Sequence, residues 1–197
     1  TDRGVHAFAQ VANFFSSMDS IPEKKYAQAL NSLLPDDIRI SESRQVPEDF
    51  SSRYSATKRT YRYFIIPSHK ALASQMPYVW DIAQNPDINI LNKMASCLKG
   101  EIDCAAFAAS GDASLSTFRY LEDAHFFYQD IFPQTRSLVF EITANAFLWK
   151  MVRSIVGSLI YFEKSGKDET YFKHVLESRD RSKAGPTAPP QGLFLWN

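Results

Sequence analysis

The chain has 197 residues, enough for one large hydrophobic core or two small ones, and its 45% hydrophobic content is ordinary for a globular protein. No stretch approaches the roughly 20 apolar residues that cross a bilayer, and no basic-then-apolar leader opens the sequence, so a cytoplasmic location is expected. Net charge is zero with a pI near 6.8; nucleic-acid-binding domains are more often basic, so charge distribution matters here more than its sum.

Residues 5–15 (VHAFAQVANFF) read as a buried strand. Pro22 stands near a helix start, and KKYAQALNSL continues it to about residue 33. Leu34–Asp37 is a turn, residues 38–46 alternate well enough for a strand, and Pro47–Phe50 is a second turn. The clearest strand spans residues 58–66, with Arg59, Tyr61, Tyr63 and Ile65 on one face and Thr60, Arg62, Phe64 and Ile66 on the other.

Residues 67–86 carry Pro67, Pro77 and Pro86 and read as a loop, with a possible sub-domain split near 70–86. A helix over 87–99 ends at Gly100. Residues 115–128 and 135–144 are two long strands joined by a Phe132-Pro133 turn, an antiparallel meander. Residues 147–163 form the strongest helix. Leu148, Met151, Val152, Ile155, Val156 and Leu159 make its apolar stripe, and Trp149, Lys150, Arg153 and Gly157 lie on the remaining face. A helix at 168–178, a loop at 185–192 and a short strand at Leu193–Trp196 close the chain. Antiparallel pairs interrupted by helices make the class α+β, a mainly antiparallel sheet flanked by helices. No linker separates independent domains.

Cys97 and Cys104 are too few for a disulfide framework or a four-ligand zinc site and read as small apolar residues. The four histidines are scattered, so neither a metal nor a cofactor is expected. Residues 51–80 hold Arg53, Lys58, Arg59, Arg62 and Lys70 and no Asp or Glu, and Tyr54, Tyr61, Tyr63 and Phe64 are interleaved. Such a run is more often a solvated face, but it also suits phosphate neutralisation.

The opening Thr1-Asp2-Arg3-Gly4-Val5-His6-Ala7 sets an acid in a tight turn, and alone that acid is a turn residue. The order T-D-x-G-V-H-A resembles the catalytic loop of the TruA family of tRNA pseudouridine synthases. Further segments resemble it in the same order: LLPDDIRI, VPEDF and SRYSAT within 31–57, the R-x-Y-x-Y strand at 59–63, N-A-F-L-x-x-M-V-R-x-I-V-G at 145–157, and A-P-P-Q-G-L at 188–193. Together they span nearly the whole chain.

The resemblance implies a pseudouridine synthase fold over residues 1–197 and isomerisation of uridine to pseudouridine in the tRNA anticodon stem-loop, without a cofactor. Asp2 is then the catalytic nucleophile. Arg153 pairs with it, since a guanidinium within reach favours the charged carboxylate and fixes its direction. Tyr61 stacks on the target base, and Leu193 lines the pocket beneath it. Arg53, Lys58, Arg59 and Arg62 become phosphate contacts, with Arg3 and Lys150 as weaker ones. His6 is expected to make a structural hydrogen bond. A homodimer recognising tRNA shape is implied, with no membrane partner.

The sequence departs from the family pattern in two ways. The family's opening strand, helix and strand are not present before Thr1, so a truncated chain is expected, with poor stability or activity. Trp149-Lys150 stands where many members carry His or Tyr followed by His, and Arg3 stands where Ala is common. Two alternatives remain open: an RNA-binding relative without catalysis, and an unrelated hydrolase pairing Asp2 with a histidine.

Overall fold

A computed structural model describes the chain apart from Asp19, Pro133, Gln134 and the side chain of Phe132. It divides into two compact units: residues 1–10 with 57–197, and residues 11–56. Residues 70–86 lie within the first unit.

The first unit is built on one sheet. Among the described residues its strands are β1 (His6–Ala7), β2 (Arg59–Pro67), β3 (Trp80–Ile82), β4 (Gly100–Asp103), β5 (Phe118–Phe132), β6 (Thr135–Ala144) and β7 (Leu193–Leu195). The order is β1-β7-β2-β6-β5-β4, with β3 beside the far end of β2. The β2–β6, β2–β7, β4–β5 and β5–β6 pairs are antiparallel. The β1–β7 and β2–β3 pairs are parallel, so the sheet is mostly antiparallel but mixed. Helices α2 (Ile88–Ala95), α3 (Met151–Lys164) and α4 (Glu169–Ser178) accompany it.

The alternation in β2 separates two hydrophobic clusters. Tyr63 and Ile65 join the main core with Leu121, Phe140, Ile142 and the α3 side chains. Phe64 and Ile66 face the other way, against Val79, Val139 and Phe194. The stripe read for α3 is buried throughout, from Leu148 to Leu159. Burying each such side chain contributes about 1.5–3 kcal/mol, which outweighs the few tenths that β-branched residues cost a helix.

Several expectations are corrected. The strand at 5–15 shrinks to two residues, because β7 offers only Leu193–Leu195 as a partner. Beyond Phe8, which donates its N–H to the Leu195 carbonyl at 2.8 Å, the apolar run finds no ladder, and Phe15 is 84% exposed. Residues 67–86 contain β3 rather than loop alone. The helix at 147–163 starts four residues late, at Met151, because Lys150 adopts a left-handed φ of 58°. Gly157 does not face solvent: a Cβ there would lie 1.9 Å from the Pro186 carbonyl oxygen. The strands at 115–128 and 135–144 form β5 and β6. Their proposed turn at Phe132-Pro133 falls largely outside the described residues.

The second unit holds α1 (Tyr26–Asn31), preceded by a 3-10 turn at Glu23–Lys25. No strand forms at 38–46, because α1 takes that segment's hydrogen bonds. The Asn31 side-chain amide donates to the Ile40 carbonyl and accepts from the Ile40 N–H, both at 2.8 Å. Ser43 Oγ donates to the Glu23 carbonyl at 2.7 Å and accepts from the Ala27 N–H at 3.0 Å. The turn at 47–50 forms, with Phe50 N–H donating to the Pro47 carbonyl at 3.0 Å.

Candidate active site

Residues 2–5 form a closed turn, in which Val5 N–H donates to the Asp2 carbonyl at 3.0 Å. Gly4 takes a φ of +81°, which an L side chain rarely adopts, and a Cβ there would lie 3.1 Å from Pro190 Cγ. Glycine thus permits both the turn and the close approach of the closing loop. Immediately afterwards His6 enters β1 opposite Phe194. The acid is therefore held by a turn on one side and a sheet edge on the other.

The Asp2 carboxylate has a separate donor at each oxygen. Arg153 Nη1 donates to Oδ2 at 3.4 Å, and Trp149 Nε1 donates to Oδ1 at 3.1 Å. The Asp2 side chain is 25% exposed and Arg153 13%. At 3.4 Å the ion pair is long for a hydrogen bond, and partly exposed pairs add little stability. Its effect is on the direction of the carboxylate.

Arg153 is itself held from both ends. Its Nε donates to the Ala188 carbonyl at 2.9 Å, while the Ala188 N–H donates to the Arg153 carbonyl at 3.0 Å. Ser158 Oγ accepts from the Gly185 N–H at 2.9 Å and donates to the Ser154 carbonyl at 2.7 Å. The closing loop is thus pinned along α3, and the arginine on α3 is aimed by that loop.

Tyr61 lies on β2 opposite Ile142 and Leu195, with its ring edge-on to Phe147 at 5.0 Å. Burial pushes its phenol above the ordinary tyrosine range; the Arg59 charge opposes this and the Asp2 charge adds to it. Tyr61 therefore shares the electrostatic surroundings of Asp2 and stays a neutral phenol. Leu193 is buried and sits opposite Tyr63. Tyr63 donates its hydroxyl to the Pro189 carbonyl at 2.7 Å. Asp2, Arg153 and Trp149 are in direct contact, Tyr61 lies within reach of the Asp2 charge, and Leu193 is buried in the core.

The basic residues scatter. Arg3 is exposed on the Asp2 turn. Lys150 Nζ lies 4.3 Å from the Trp149 ring centroid. Arg59, on the Tyr61 face, donates to the Asn145 carbonyl at 3.1 Å. Lys58 pairs with Glu122 at 3.2 Å. Arg62 lies on the opposite face, with Nε 2.5 Å from Glu141 and the guanidinium 4.1 Å from the Trp196 ring centroid. Arg53, in the second unit, lies over the Tyr54 ring. His6 Nε2 is 2.9 Å from the Pro77 carbonyl, the structural bond expected of it.

Sequence reasoning missed Trp149 as a partner of Asp2. Helical spacing could not have found it, because Trp149 precedes the left-handed Lys150 from which α3 starts, and its approach to Asp2 is set by that turn. Among the described residues no group of His, Cys, Asp and Glu side chains converges as a metal site.

A family model described as tRNA pseudouridine synthase matches residues 94–197. A Treponema denticola protein named tRNA pseudouridine synthase A is 51% identical over 197 residues, covering 100% of this chain and 72% of its own length. A Treponema pallidum protein of the same name is 47% identical over 186 residues, covering 94% of this chain and 65% of its own length. A Thermoanaerobacter relative, also so named, is 43% identical over 197 residues, covering 99% and 78% respectively. The chain thus spans between 65% and 78% of the length of these relatives.

Proposed function

The chain belongs to the tRNA pseudouridine synthase family, a family of isomerases, and on that premise we propose that it converts uridine in the tRNA anticodon stem-loop to pseudouridine with Asp2 as nucleophile. The observation that carries this reading is the Asp2–Arg153 contact, in which residues from opposite ends of the chain meet with the carboxylate partly open to solvent.

The reaction is an isomerisation, so no redox partner or cofactor is required. The ionised carboxylate adds to the uridine, at ribose or base, and the glycosidic C–N bond breaks. The detached uracil turns and rejoins the ribose through C5, C5 gives up its proton while the freed N1 takes one up, so that the atoms balance, and the carboxylate is released. Arg153 keeps Asp2 directed at the substrate. Tyr61 offers a ring for the extruded base to stack on, and its neutral hydroxyl remains available to donate. Leu193 and the core around it form the apolar floor.

Arg3, Arg59 and Lys150, on the Asp2 side, supply the phosphate contacts nearest the site. Lys58 extends the basic character of the first unit and Arg53 is a phosphate contact of the second, while the partners of Arg62 tie it to the sheet. In this reading the mixed sheet is a pseudouridine synthase fold, residues 1–197 form its catalytic region, and a homodimer reads tRNA shape in the cytoplasm. No helix among the described residues is long and apolar enough to cross a membrane.

The test compares wild type with Asp2→Asn on tRNA carrying labelled uridine, followed by chromatographic separation of pseudouridine. Product from wild type and none from the variant is the expected result. Tight tRNA binding without product from wild type would point instead to a relative that binds without catalysis.

A further inference from the structure

The indole of Trp149 takes one of the two oxygens of the proposed nucleophile, a contact that the reading of Asp2 and Arg153 does not need. Its Nε1 donates to Asp2 Oδ1 at 3.1 Å while Arg153 occupies Oδ2. One donor leaves a carboxylate free to rotate about its last side-chain bond, whereas separate donors at its two oxygens define the plane of the group. An indole N–H does this without adding charge.

Trp149 is clamped in a way that a surface aromatic side chain does not need. Its backbone N–H donates to the Asp112 carboxylate, and its carbonyl accepts from the Ala109 N–H at 3.1 Å. The next residue, Lys150, holds a left-handed φ of 58°. For a residue with a Cβ that conformation costs on the order of 1–2 kcal/mol, and it persists only where surrounding contacts over-determine it. Gly111 on the same loop takes a φ of +86°, which an L side chain rarely adopts, and packs beside the ring, its Cβ position lying in ordinary contact 3.9 Å from Trp149 Cζ3. Lys150 Nζ approaches the ring. Residues 109–112 thus grip the main chain of Trp149, the strained Lys150 turns it into α3, and the indole N–H meets Asp2.

We propose that Trp149 is a positioning residue for the reaction, orienting the Asp2 carboxylate through Oδ1, with the 109–112 loop as its support. This rests on the reading of Asp2 as nucleophile. Fixing the direction of a nucleophile lowers the barrier of the chemical step and leaves substrate binding nearly unchanged, so loss of the indole N–H lowers kcat and not tRNA affinity. The charged acceptor makes this bond stronger than a neutral one.

The experiment measures single-turnover pseudouridine formation with Trp149→Phe, with Trp149 replaced by benzothienylalanine, and with Asp112→Ala, using the full chain and tRNA. Benzothienylalanine keeps the bicyclic ring and substitutes sulfur for the N–H, so it preserves packing even where Trp149→Phe does not. The expected result is a rate about tenfold lower for the benzothienyl variant, with KM within about twofold of wild type and an unchanged melting temperature. Asp112→Ala is expected to lower the rate in the same direction. A benzothienyl variant with wild-type kcat, or one whose loss appears only in KM, overturns the proposal. Asp2→Asn is run alongside: if it retains full activity, the nucleophile reading fails, and a slow benzothienyl variant would then report some other role of the ring.

Discussion

The carbonyl of Pro186 rests directly against Gly157, so close that a methyl group on Gly157 would sit 1.9 Å from its oxygen. This contact lets the closing loop lie along α3, one turn beyond Arg153. From there Ala188 exchanges hydrogen bonds with Arg153. A backbone approach at one helical turn thus governs the aim of the guanidinium at the next.

Gly157→Ala is therefore expected to destabilise the protein by about 1–3 kcal/mol, the usual cost of overpacking, and to slow catalysis as the loop moves away from Arg153. Urea unfolding together with single-turnover kinetics measures both. Unchanged stability would mean that the loop is not held against the helix in solution.

Arg153→Lys keeps the charge but cannot reproduce the arginine fork. One ammonium would have to replace the Nε contact to Ala188 and the Nη1 contact to Asp2. A fall in kcat of roughly tenfold or more is expected, with tRNA binding retained. Wild-type kcat in this variant would reduce Arg153 to a simple charge.

Arg62 and Arg59 separate structure from binding. Arg62→Ala removes the Glu141 ion pair and the stack on Trp196, which together should cost about 1–2 kcal/mol of stability and leave the salt dependence of tRNA binding intact. Arg59→Ala should flatten that salt dependence by roughly one phosphate contact. Binding measured across a series of salt concentrations distinguishes them; the opposite pattern would move the RNA to the other face of the sheet.

Stability is expected to fall in alkali. Burial pushes the Tyr63 phenol well above its ordinary range, against the opposing charge of Arg153, and Tyr61 shifts in the same direction. Below pH of about 10 both folded and unfolded chains keep these protons and stability is full. Above it the unfolded chain releases protons that the folded chain retains, so stability drops as pH rises. Tyr63→Phe should cost about 1 kcal/mol at neutral pH, through the lost bond to Pro189, yet show a shallower alkaline decline. Equal alkaline slopes in variant and wild type would contradict this.

The sequence carried the parts of the fold that depend on near neighbours. Strict alternation from Arg59 to Ile66 divides β2 between two cores, and helical spacing from Leu148 to Leu159 defines a buried stripe. Both patterns are set by backbone geometry that repeats every few residues. The Asp2-Arg3-Gly4 turn was legible for the same reason, because a positive φ requires glycine. The strands expected at 5–15 and 38–46 have suitable side chains and fail for want of partners: β7 is too short for one, and Asn31 and Ser43 satisfy the other. Only tertiary structure brings Trp149 to Asp2 across 147 residues, since a hydrogen bond needs its donor and acceptor close in space and is indifferent to their separation along the chain.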